Sequence, residues 1–394
     1  MPRPTATIPA SAAVLRWARE TRGFTTPEAA RRLGVPVRDL LAIEAGTTEV
    51  PAALFTKMQS LYRRVESVLL LPAPPETDPL PADYRRVARG NPQPSPELRS
   101  ALRESRRIQH FVTELLEEDA RLFPTAEIPR ATLDEEPERI GERERLTFGV
   151  TWEQQWRWRP NDSFRHWRSV LQQLGILVIV KRMPWEKCRG VSLYDQGLVP
   201  TIVINSEDAD NARSFTLFHE YGHLLLREPG KCIPSPASDA LQVEKWANRF
   251  AAAFLILASD LRAYIARRPP GGDLNDLTLQ EIRRMATDFR VSRYVMARRL
   301  EELSFSNFYQ RSKAALYAFD KRPAPSRKGG GAPSPEVSKV AELGSGTSMV
   351  IVNAVRNQLI DRTEAADALD LKVSQLAGFE ARAESQRYKD RAGV

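Results

Sequence analysis

The sequence predicts an α+β protein: an all-helical head, a compact domain with a short sheet beside a helix bearing two histidines, and a small helical tail. Three observations carry that reading. Apolar residues recur at helical spacing from Ala12 to Leu71 and again from Ser345 to Ala383. Three short β-branched runs, ILVIVKR from Ile176, VSLY from Val191 and TIVIN from Thr201, lie close together between turn residues. After them comes HEYGH, His219 to His223, in a segment that reads as one continuous helix.

A chain of 394 residues is too long for one small core, so several domains are expected. The head occupies residues 1–71. LLLPAPPETDPLP then opens a proline-rich linker and connecting helix over 72–147, because proline at this density cannot continue a helix. The compact domain takes 148–320. RPAPSRKGGGAPSPE, whose glycine, proline and serine cannot bury a core, marks a flexible linker over 321–336. The tail is 337–394. No stretch approaches the roughly 18 consecutive apolar residues that a membrane helix needs, so no membrane partner and a cytoplasmic location are expected. Cys188 and Cys232 lack metal-ligand spacing and are too few for a disulfide scaffold, so both read as reduced thiols. A net charge of +8 suits a chain that meets nucleic acid, and Met1 to Arg64 holds ten Lys or Arg against five Asp or Glu.

His219 and His223 stand four residues apart, which puts both imidazoles on one helix face, where a single tetrahedral Zn²⁺ can take a nitrogen from each. Glu220 can point at the same metal without ligating it, and is suited to accept a proton from a water that the metal activates. The bland alternative is HExxH by chance on an amphipathic helix. Apolar flanks on both sides bury this helix, and its polar residues then need partners. A catalytic zinc needs a third protein ligand and an open fourth position. Glu244, in VEKWANRFAAAFLI on a second helix, is the best candidate, although spacing alone leaves Glu228 and Asp239 open. No oxyanion-stabilising group is identifiable: Tyr221 sits where a core residue is expected, and Arg213 and His166 are weaker candidates.

FTLFHEYGHLLL followed by ExxANRFAAAFL resembles the ImmA/IrrE family of metallo-endopeptidases. The resemblance extends over Trp167 to Leu303, taking in IVIN at Ile202 and FRVSRYVMARRL at Phe289. It implies a zincin-like peptidase domain in which His219, His223 and Glu244 ligate Zn²⁺ and Glu220 is the general base. Such enzymes regulate transcription by cleaving a repressor protein, often in stress responses, mobile elements or phage defence.

In the head, TTPEAARRLGVPVRDLLAIEAGTTEVP has the punctuation of a helix-turn-helix. Thr26 is expected to cap a first helix from Pro27 to Leu33, Gly34 to turn the chain, and a second helix to run from Val37 to Ala45. The segment resembles the Xre-type helix-turn-helix, including Glu44 and Gly46 at the close of the second helix. That geometry puts the second helix in the major groove of double-stranded DNA, with Arg38 as the one strong base reader and Thr25, Thr26 and Arg32 on phosphates. The competing reading is a degenerate motif kept for homodimerisation or partner docking. In the tail, Thr363 is expected to cap EAADALD, and an alanine-rich face suits a protein contact. Against the peptidase stands a reading of another class: a non-catalytic DNA-binding regulator or toxin-antitoxin component whose metal site is structural or a remnant.

Overall fold

Polar caps and glycine stops cut the first unit, Met1–Arg103, into short helices in a computed structural model that describes residues 6–62, 64–75, 95–184, 188–227, 238–267, 274–320 and 333–392. Helices α1 (Ala12–Arg22), α2 (Thr26–Leu33), α3 (Val37–Glu44), α4 (Ala52–Tyr62) and α5 (Glu66–Leu69) make its body. A minimal antiparallel pair, β1 (Thr7–Ile8) and β2 (Val50–Pro51), sits beside them. Thr25 rather than Thr26 caps α2, because its hydroxyl is the one that accepts from the Glu28 amide, at 3.4 Å. Gly34 ends α2 at φ +73°, a conformation that only glycine adopts without strain, and so sets the turn into α3. Leu15, Ala30, Leu40, Ile43 and Met58 form the core. Arg19 holds Glu44 through two bonds of 2.6 and 2.9 Å, so this buried carboxylate is fully paired.

The second unit, Glu104–Val394, begins inside the long helix α6 (Pro96–Glu118). Helices α7 (Pro137–Phe148), α8 (Trp152–Arg157) and α9 (Ser163–Gln173) lead to strands β3 (Leu177–Lys181), β4 (Gly190–Leu193) and β5 (Thr201–Asn205). Next come α10 (Asp210–Leu225), which carries HEYGH, and α11 (Ser238–Leu255). Then follow α12 (Ala258–Ala266), α13 (Leu279–Asp288), α14 (Arg293–Glu302) and α15 (Phe308–Asp320). The tail is α16 (Pro335–Arg356), α17 (Arg362–Leu369) and α18 (Leu376–Ala392). Asp361, not Thr363, caps α17: its carboxylate accepts from two first-turn amides and Glu364 reaches back to close a capping box. Among the described residues no helix is long and apolar enough to cross a membrane.

The sheet has the order β3-β5-β4, with β3 parallel to β5 and β4 antiparallel to it. Side chains alternate between faces along a strand, and both faces of β3 are covered, which is why its first four residues, LVIV, are all apolar. Val178 points into the large core with Trp167, Phe218 and Phe254, whereas Leu177 and Ile179 join a second core with Val112, Val350 and Phe379. That second core is built from α6, β3 and the tail helices. The tail residues therefore share their core with the sheet. The reason is local: α16 breaks at Gly344 (φ 76°, ψ 167°), and the carbonyls freed there accept from α9. Arg168 donates to Ala341 and Glu342, and Gln172 donates to Leu343 at 2.7 Å while accepting from the Gly346 amide at 3.0 Å.

Much of the proline-rich stretch and of the linker at 321–336 lies outside the described residues, as do Cys232 and Glu228. Cys188 is disulfide-bonded, against the expectation of a reduced thiol. Count and spacing argue against a scaffold, but they do not decide where the fold brings a sulfur.

Burying a residue such as Leu177 or Ile179 contributes about 1.5–3 kcal/mol, and both depend on the tail for cover. Truncation after Ala332 should therefore cost the second unit its cooperative unfolding, read by near-ultraviolet circular dichroism and thermal melting. An unchanged melting transition in the truncated chain would show that the tail folds apart from the sheet.

Candidate metal centre

The site begins with the packing of α10 on α11. Gly222, inside HEYGH, faces Ala247, and a Cβ added there would lie 3.1 Å from the Phe250 ring and 3.4 Å from the Ala247 backbone. A helical glycine costs roughly 1 kcal/mol against alanine, and here it lets the two backbones approach. Trp246 anchors α11 from the other side, donating from its indole nitrogen to the Glu135 carbonyl at 2.8 Å. Phe218 stacks on Phe254 at 3.9 Å between ring centres, which fixes the rotation of one helix against the other.

This packing brings together three of the residues expected as ligands. His219 Nε2 lies 3.2 Å from His223 Nε2 and 3.2 Å from Glu244 Oε2, and His223 Nε2 lies 3.5 Å from Glu244 Oε1. Bonds of about 2.0–2.1 Å in a tetrahedron put neighbouring ligand atoms about 3.3–3.4 Å apart, so the spacing fits a metal of that size. The three side chains form the metal-ligand cluster found among the described residues. His223 is 2% exposed but His219 and Glu244 are 16% and 18% exposed, so the cluster is open on one side. Burial works against a charge on His219, but the bond to Glu244 and the carboxylates of Glu220 and Glu244 outweigh it and hold its pKa up.

Glu220 faces β4. Burial pushes its carboxyl up to about 7, Glu244 pushes in the same direction, and His219 and hydrogen bonds from Ser192 pull it back. Oε1 lies against Gly190, while Oε2 is buried with no hydrogen-bond partner among the described residues. A divalent cation beside such a carboxylate favours its ionised form.

Three residues escaped the sequence reading. Gly190 and Ser192 form the wall behind Glu220, and nothing local to VSLY marks them, because only the sheet brings β4 beside α10. Asn248 does have a signal: one turn after Glu244, it shares that residue's face, and its side chain hydrogen-bonds His219 as well as the Glu244 carbonyl. The weaker oxyanion candidates fall elsewhere. Tyr221 donates to Glu144 Oε2 at 2.7 Å in the core, Arg213 donates to the Ser206 and Asp208 carbonyls, and His166 stacks on Trp158 at 4.7 Å.

In the first unit the four residues expected on DNA are differently placed. Arg38 is 88% exposed on α3, beside Asp39. Arg32 pairs with Glu28 and Glu97 and lies over the Phe24 ring, so it has partners to give up before meeting a phosphate. Thr25 uses its hydroxyl as a cap, and Thr26 is half-buried. The exposed face of α3 also carries Val37 and Leu41, at 39% and 51% exposure.

Residues 171–301 match the peptidase family described as the IrrE N-terminal-like domain. The match contains all of β3, β4, β5, α10 and α11, and so the whole metal-ligand cluster. No curated protein and no solved structure matches the chain.

A Cβ at Gly190 would lie 2.6 Å from Thr216 Cγ2 and 2.9 Å from Glu220 Cγ. Gly190→Ala should lower stability by about 1–3 kcal/mol through overpacking, measured by denaturant unfolding. A variant as stable as the wild type would show that β4 can retreat from Glu220.

Proposed function

We propose that this chain is a zinc-dependent endopeptidase of the cytoplasm that regulates transcription by cleaving a repressor protein, in a stress, mobile-element or phage-defence response. The observation that carries the reading is the convergence of His219, His223 and Glu244 at the edge lengths of a small tetrahedron, with Glu220 alongside. Two imidazoles, one carboxylate and an open side are the donor set of a catalytic rather than a structural zinc. A bound zinc ion supplies Lewis-acid activation of a water and of the scissile carbonyl. Glu220 takes a proton at Oε2, its oxygen without a hydrogen-bond partner among the described residues, and returns it to the departing amine. Ser192 holds the same carboxylate from β4, so the proton acceptor is oriented before substrate arrives. Asn248 keeps the His219 ring in place.

The head is proposed to hold the enzyme on duplex DNA through α3, with its short α2–α3 turn as support. DNA affinity should fall steeply with salt, and Arg38→Ala should cost sequence discrimination more than overall affinity, in fluorescence anisotropy on matched and scrambled duplexes. Unchanged affinity after deletion of residues 1–71 would remove the head as the reader.

The catalytic reading is tested with Glu220→Gln, which is nearly isosteric but cannot accept the proton. The variant should keep about one zinc per chain by elemental analysis, yet lose about 10² to 10⁴ in cleavage rate. His223→Ala should lose most of the metal. Repressor levels in cells that fall equally with wild type and the Gln variant would leave a regulator that acts only by binding.

A further inference from the structure

A cavity of about 910 Å³ opens in the second unit, between α9, the first turns of α10 and the tail helices α16 and α18. It is separate from the metal cluster, none of whose residues lines it. Its volume is that of a small-molecule site. Arg165, Arg168, Arg182, Arg213 and Arg382 line it, against Asp210, Glu342 and Asp390.

The carboxylates are occupied. Glu342 pairs with Lys181 and Lys339, and Asp390 takes Ser345, Gln386 and Arg165. Asp210 accepts from Ser163 and the Phe164 amide, and burial raises its pKa. Of the arginines, Arg165 pairs with Asp162 and Asp390 and Arg182 with Glu207, and the other three are balanced differently. Among the described residues Arg168 donates only to carbonyls, those of Val178, Ala341 and Glu342, and Arg213 only to those of Ser206 and Asp208. Desolvation lowers the pKa of both, outweighing the nearby carboxylates of Asp390 and Glu342 at Arg168 and of Asp210 and Asp208 at Arg213. Arg382, half-buried on α18, has no hydrogen-bond or ion-pair partner among the described residues.

Carbonyl dipoles hold the guanidinium groups of Arg168 and Arg213 in place, and no carboxylate among the described residues bonds either one directly. Burying a cation is costly unless an anion meets it, and a planar guanidinium suits a phosphate oxygen pair. The walls are preformed, since Arg168 locks the Gly344 break of α16 and Arg213 locks the turn before α10. We propose that this cavity binds a small, soluble, phosphorylated molecule, with Arg213 and Arg382 as its charged contacts. Because Arg213 belongs to the helix that carries His219 and His223, such a ligand rests directly on the metal-bearing helix.

The experiment uses the full chain with inorganic phosphate and pyrophosphate as probes, at ionic strength matched with sodium chloride. The melting temperature should rise saturably with either probe, as expected of a ligand that binds only the folded state. Arg382→Ala removes a side chain with no partner to strand, so it should fold, and it should weaken the apparent affinity about ten-fold, a charge-assisted bond's worth. Arg213→Ala should weaken it likewise, and Arg38→Ala, in the head, should leave it unchanged. A non-saturable rise, an equal response in Arg382→Ala, or a response lost only in Arg38→Ala would each overturn the assignment. None of these readouts requires the chain to be a peptidase.

Discussion

The close crossing of α10 and α11 is the constraint on which the rest of the second unit depends. It exists because Gly222 meets Ala247 where larger residues would hold the helices apart. Metal ligation tolerates errors of a few tenths of an ångström, and the three donor groups come from two helices. An extra methyl at Gly222 would sit 3.1 Å from Phe250 and would act on the distance from Glu244 to both histidines. The aromatic stack of Phe218 on Phe254, with Trp167 edge-on to both, gives that crossing its stiffness.

Around this crossing the chemistry follows from burial. Four ionisable groups lie together, and Glu220 and Glu244 repel each other there while the two histidines compensate only if protonated. A divalent cation resolves that conflict with one charge centre, which is the physical reason the cluster reads as a metal site rather than an ion-pair network. The position of Glu220 is decided from the opposite side, where a strand residue without a side chain leaves room for the carboxylate and Ser192 binds it. Asn205 at the end of β5 secures this wall, donating to the Met183 and Cys188 carbonyls that flank β4's approach.

The tail belongs to the same construction. β3 has one face in the core of α10 and the other under α16 and α18, so helices more than a hundred residues beyond HEYGH help hold the sheet that backs Glu220. Arg168 and Gln172 make this attachment specific by satisfying the carbonyls freed at Gly344, at positions where α9 also touches the sheet.

The two clustered histidines of α10, the glutamate beside them, the three strands and the α2–α3 pair were legible in the sequence because each rests on local periodicity: four-residue spacing, β-branched runs, and a glycine between short apolar helices. Glu244 was legible only through the pattern of ExxAN, since spacing alone also allowed Glu228 and Asp239. What tertiary structure alone decided is of another kind. The apolar run of β3 says that both faces are buried but not by what, so the tail read as separate. A serine and a glycine in VSLY and just before it carry no mark of the carboxylate they hold. The arginines of the cavity likewise acquire their meaning from partners distant along the chain, whose approach depends on packing that no local pattern encodes.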